Sequence, residues 1–273
     1  MHVATIILSS AAMETHQIGL VAACGIVCSF FAGLMGIGGG VLMAPLLLLV
    51  PSLSHTAAFP VPLVAGLAVT QDLVGSFVAA VVHRRFKFQN RDLLIRMCSA
   101  IFVGALAGAV LSHYARGETI LVTLAILVTL GAGCMLTLDL NVVDLVTDNV
   151  SGRNGVLTIV VAALVGVLAG FVGQGAGFLL LPAMLVILRL TLRVTVANSL
   201  GIIFCAALGG LLGRWGTQQV SASWLLVLLL TAIPGAIMGG YVSARITHKV
   251  LGHAMIALLV FASIQLWIKV LAI

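Results

Sequence analysis

The sequence predicts an all-α polytopic membrane protein built from two four-stretch repeats, each opening with a glycine-broken helix. Three observations predict it. First, 62% of the 273 residues are hydrophobic and 7% are charged, with a mean hydropathy of +1.28. Soluble domains average about 45–50% apolar and about 25% charged residues. So few charges cannot cover a water-facing surface, which excludes a soluble globule, a disordered chain, a coiled coil and a disulfide-rich secreted scaffold. Second, the apolar residues fall in long runs rather than in short alternating segments, which favours spanning helices over a barrel. Third, a cluster of glycines followed by a proline occurs once in each half of the chain.

Eight apolar stretches follow one another, at roughly 17–50, 58–82, 93–114, 119–138, 155–188, 194–213, 222–244 and 250–271. A crossing needs about 20 residues, and six of the stretches fit one crossing each. The first and fifth, each about 34 residues long, do not. They are too long for one straight span and barely enough for two. Each carries its glycine cluster in the middle, so a broken helix, or two half-helices meeting at the cluster, explains the length. The region before residue 17 has no basic flank, so no cleaved secretory signal is expected. The segment 139–154, with three aspartates, is the most polar between stretches. It reads as a linker inside one transmembrane domain, 1–273, joining repeat 1 (17–138) to repeat 2 (155–271).

The repeat is visible without gaps. AGLMGIGGGVLMAPLLL (32–48) laid on AGFVGQGAGFLLLPAML (169–185) matches Gly33 with Gly170, Gly36 with Gly173, Gly38 with Gly175, Gly40 with Gly177 and Pro45 with Pro182. Further on, GALAG (104–108) lines up with GAIMG (235–239), a small-residue face on which helices approach closely. Duplicated units with broken helices are the usual build of secondary transporters.

Charge gives the orientation. The segment 83–96 holds His83, Arg84, Arg85, Lys87, Arg91 and Arg96, and is expected in the cytoplasm. The matching turn, 213–223, holds Arg214 alone. If the halves are inverted, that turn lies outside, and Arg189, Arg193, Arg245 and Lys249 lie inside, so charge counting favours inversion. The net charge of +6 is thus a topology signal. No basic run is interleaved with aromatics, so no nucleic-acid partner is expected. Cys24, Cys28, Cys98, Cys134 and Cys205 all lie in apolar stretches and are odd in number, which argues against a disulfide set. The scattered histidines form no metal motif, and no metal or other cofactor is expected.

GLMGIGGGVLMAP (33–45), GFVGQGAGFLLLP (170–182), VANSL (196–200) and GAIMGGYVSARI (235–246) resemble the motifs of the TauE/SafE family, exporters of sulfite and organosulfonates. The similarity in layout runs from about 17 to 271. The chain departs from the family pattern at Gln174, Ala176 and Thr70–Asp72. The resemblance implies a secondary transporter in the cytoplasmic (inner) membrane, in contact with lipid, that carries a small anionic substrate and has no catalytic residues.

A bilayer offers an oxyanion no hydration, so a carrier must supply donors. Half-helix N-termini do so with free N–H groups and the helix dipole. Gly36, Gly38, Gly39 and Gly40 are expected to form one cradle, and Gly173, Gly175 and Gly177 the other. The alternative for these glycines is tight helix crossing alone. Pro45 and Pro182 lack the N–H that continues a helix and are expected to mark the breaks. Gln174, Asn198 and Ser199, with Thr70 and Gln71 in the first half, are further substrate-binding candidates, against simple interhelical hydrogen bonding. Asp72 is the one acid well inside an apolar span and is the candidate for a coupling proton, against a role as a paired or capping carboxylate. Arg84, Arg85 and Arg214 are expected at the mouths, where they would gather anions or fix topology. An anion channel is a close variant. An intramembrane enzyme would need a nucleophile–base pair at depth, and a structural membrane protein would have little use for two broken helices. No Walker A motif is present, so ATP does not drive the chain from within.

Overall fold

The computed structural model describes residues 2–53, 59–83, 91–137, 155–174, 176–188, 190, 192–215, 222–243, 245–246 and 248–271. Among these there is no strand. The helices are α1 (His2–Met35), α2 (Gly40–Leu53), α3 (Val61–His83), α4 (Arg91–Leu111), α5 (Gly117–Leu136), α6 (Gly155–Val172), α7 (Gly177–Pro182), α8 (Leu192–Arg214), α9 (Ala222–Ser243) and α10 (His248–Leu271). Seven of the helices hold stretches long and apolar enough to cross a membrane. In hydrocarbon every backbone group must be satisfied within its own segment, which is why such runs fold as helices. The protein is a multi-pass membrane protein.

Both over-long stretches are broken at their glycines. Gly36 (φ 70°) ends α1, and its N–H bonds the Ala32 carbonyl at 2.9 Å. Gly173 (φ 76°) ends α6. Here the Gln174 N–H reaches the Ala169 carbonyl at 3.0 Å and the Gly173 N–H reaches Gly170 at 3.2 Å. That pair of bonds is a Schellman closure, whose left-handed residue glycine adopts without a Cβ penalty. The chain restarts alike in both places. The Gly39 carbonyl accepts from Leu42 and Met43, and the Ala176 carbonyl accepts from Leu179 and Leu180.

Two details differ from expectation. The first helix reaches back to His2, well before residue 17. The prolines also behave differently. α2 continues as helix through Pro45 to Leu53, whereas α7 gives way after Pro182 to a π-helical turn, Ala183–Ile187. The Leu188 N–H there bonds the Ala183 carbonyl at 3.1 Å. The missing proline N–H and its ring loosen the ladder at that point. The breaks themselves precede both prolines.

The short second halves lie inside. Val41, Met43 and Leu47 of α2 are fully buried, as are Phe178 and Leu180 of α7. The long helices wrap them and turn large apolar side chains outward, such as Ile95, Val103, Leu164 and Leu230. In a bilayer that outer face meets lipid. The long helices pair across the chain's midpoint: α1 packs on α9, α4 on α6 and α8, and α5 on α10. Glycines set these seams. A Cβ on Gly104 or Gly108 would run into the Ala163 or Val167 carbonyl of α6, and one on Gly235 or Gly239 into the Ile26 or Phe30 carbonyl of α1.

Candidate functional site

The two breaks meet. Gly177, at the start of α7, lies so close to the Ile37 carbonyl that a Cβ there would overlap the oxygen. Ile203 of α8 touches both breaks, at Gly38 and at Gly177. Of the predicted residues, Gly36, Gly38, Gly40, Asp72 and Ser199 meet at the first break, and Gly173 and Arg214 meet at the second, with Gln174 next in the chain.

At the first break the protein fills its own cradle. The Asp72 carboxylate, from the middle of α3, accepts the Gly40 N–H at 2.7 Å and so caps the start of α2. The same carboxylate leaves no room for a side chain on Gly38 or Gly40. The donor expected for an anion at the start of α2 is therefore already taken up by the Asp72 carboxyl. The Ser199 hydroxyl donates to the Gly36 carbonyl at 2.8 Å, which ties α8 to the end of α1. Gln71 donates its amide to the Gly25 carbonyl at 2.9 Å and to the Ser29 hydroxyl, holding α3 on α1. Thr70 bonds back to the Gly66 carbonyl within its own helix, at 2.9 Å. The Ser76 hydroxyl donates to the Asp72 carbonyl. The Gln71 and Ser199 bonds are interhelical, the Thr70 bond is internal to α3, and the Gln71 Oε1 has no partner among the described residues. Asn198 is buried beside Ser199.

The second break is different. Arg214, at the end of α8, is 2% exposed and donates to the Gly170 and Phe171 carbonyls at 2.8 and 3.1 Å. It is a buried cation on the last carbonyls of α6, where the dipole favours positive charge, and it lies against Gly173. Next in the chain is Gln174, also 2% exposed. Neither its Nε2 nor its Oε1 has a hydrogen-bond partner among the described residues. Gln174 borders a small space of about 10 Å³, lined by Ala44 and Leu48 of α2, Val64 of α3, Leu121 of α5 and Val172. That is room for about one water molecule. A buried amide without partners costs roughly 1–3 kcal/mol, so this position calls for an occupant.

Gly175, Arg84, Arg85 and the linker 139–154 lie outside the described residues. The bonds of Arg214 to the α6 carbonyls had no signal in the sequence. A long side chain at the end of an apolar helix can turn toward water or back over the neighbouring helix, and only packing decides between them.

Comparison with known proteins shows the family. Residues 21–266 match the family model described as Sulfite exporter TauE/SafE. Over 240 residues the chain is 23% identical to a Bacillus subtilis (strain 168) protein named "Probable membrane transporter protein YunE", covering 82% of this chain and 86% of that one. No solved structure matches.

Proposed function

The chain belongs to the sulfite exporter TauE/SafE family of membrane transporters, and on that footing we propose that it exports a small sulfur oxyanion or organosulfonate across the cytoplasmic membrane. It acts as a secondary carrier and not as an enzyme. The observation that carries this reading is Gln174: a buried amide without partners among the described residues, next in the chain to Gly173, against which the Arg214 guanidinium lies. An anion stripped of water needs a donor and a compensating charge, and the second break offers both. The first break, closed by Asp72, takes no anion. It serves as the proton-sensitive side. Protonating Asp72 weakens its hold on the Gly40 N–H and frees α2 to shift against α7, coupling a proton to movement of the substrate.

The space at Gln174 is too small for sulfite as it stands. The substrate therefore enters with a separation of the two breaks, the gating that alternating access requires.

The test is uptake of sulfite, a sulfonate and thiosulfate by purified protein in liposomes, with and without a pH gradient. Sulfite or sulfonate flux is expected to saturate. Gln174→Ala is expected to raise the half-saturating concentration about 10- to 100-fold, the loss of one hydrogen bond to a charged group. Asp72→Asn is expected to keep flux but remove its dependence on the pH gradient. No flux of any of the three anions, or unaltered saturation in Gln174→Ala, would overturn the reading.

A further inference from the structure

The seam between α4 and α8 carries a feature that the transport reading does not use. α8 lays Gly201 against Leu94 of α4, Gly209 against Phe102, and Gly213 against Leu106. The contacts climb both helices together at one constant offset, so the two helices run parallel with backbones in close approach. That same offset places Cys205 opposite Cys98. The Cys98 thiol reaches the Gly201 carbonyl, one helical turn before Cys205, at 3.6 Å. Both side chains are partly exposed. The other neighbouring pair, Cys24 and Cys28, lies one turn apart on a single helix, with Cys28 fully buried.

We propose that Cys98 and Cys205 form a modification site: a dithiol that closes to a disulfide on reaction with a small, lipid-permeable organic disulfide. One protein thiolate attacks the small disulfide, forms a mixed disulfide and releases one small thiol. The second protein thiol then displaces the other small thiol as the Cys98–Cys205 bond forms. Two electrons pass from the protein to the small disulfide, and the two protein thiol protons end on the two released thiols. The bond staples α8, which carries Asn198, Ser199 and Arg214, to α4. Because the seam is already in close contact, closing it asks little of the backbone.

Full-length protein in liposomes is treated with dipyridyl disulfide, digested without reduction and analysed by mass spectrometry. The neighbouring thiol has an effective concentration on the order of millimolar or more. With micromolar probe, the Cys98–Cys205 crosslinked peptide is therefore expected to exceed either mixed disulfide by about tenfold or more. Cys98→Ser is expected to leave Cys205 as a stable pyridyl mixed disulfide, and Cys205→Ser the reverse. Cys134, exposed on α5, is expected to stop at the mixed disulfide in the wild-type chain, and Cys134→Ser is expected to leave the crosslink intact. Persistent mixed disulfides on Cys98 or Cys205 in the wild-type chain would overturn the proposal. So would absence of the crosslink when Cys134 has reacted.

Discussion

Gly177 has no space for even a methyl group, because the Ile37 carbonyl of the other break stands where its Cβ would be. An obstructing backbone cannot rotate away as a side chain can. Gly177→Ala is therefore expected to push the breaks apart and cost about 1–3 kcal/mol or more, read as a melting temperature in detergent lower by about 5 °C or more. At Asp72 the order of substitutions matters. Asp72→Ala leaves the first turn of α2 uncapped and is expected to cost about 1–2 kcal/mol. Asp72→Asn keeps an oxygen for the Gly40 N–H and is expected to fall between it and the wild type. Thermal unfolding of the three proteins checks the ranking. Gly36 and Gly173 were legible in the sequence, because a helix that stops short inside an apolar run needs a left-handed residue, and both have it. Gln174 was legible as a donor but not as one without partners, since that depends on what the neighbouring helices fail to offer.

At the level of the helix, the second to eighth apolar stretches anticipated α3 to α10 within a few residues, because lipid makes hydropathy the dominant signal. The backward extension of α1 was not legible. Residues 2–17 mix Glu14, His16 and Gln17 with short apolar runs, and hydropathy alone does not carry a helix through them. The small-residue motifs at 104–108 and 235–239 are helix seams, as their spacing suggested. Seams and free glycines respond oppositely to one methyl group. Gly108→Ala drives a Cβ into the Val167 carbonyl and is expected to destabilise the α4–α6 pair by about 1–3 kcal/mol. Gly133 on α5 has nothing within 4 Å, so Gly133→Ala is expected to be neutral or to stabilise by up to about 1 kcal/mol. Thermal unfolding of both variants distinguishes a seam from an open face.

For the molecule as a whole, direction is the informative property. α8 runs parallel to α4. Its contacts with α3 run the other way: Ile203 lies level with Asp72 across Gly38, while Gly210, further on, meets Val69, further back. If α3 and α8 are counterparts in a duplicated unit, their opposed directions favour the inverted arrangement that charge counting suggested. Inversion places the basic turn at 84–90 and the turn at 216–221 on opposite sides of the membrane. In an otherwise cysteine-free chain, Lys87→Cys is therefore expected to react with an impermeant maleimide only from the cytoplasmic side, and Gln218→Cys only from the other. Labelling of both from one side would exclude inversion.

The Asp72 cap makes the two bends chemically unlike: one is closed by a carboxylate, the other lies beside a guanidinium. A carrier that exposes unlike faces in turn has no reason to load equally well from each side of the membrane. Equilibrium forbids such lopsidedness from pumping uphill, because the ratio of forward and reverse efficiencies is set by the gradients alone. It does permit different half-saturation on the two sides of the membrane.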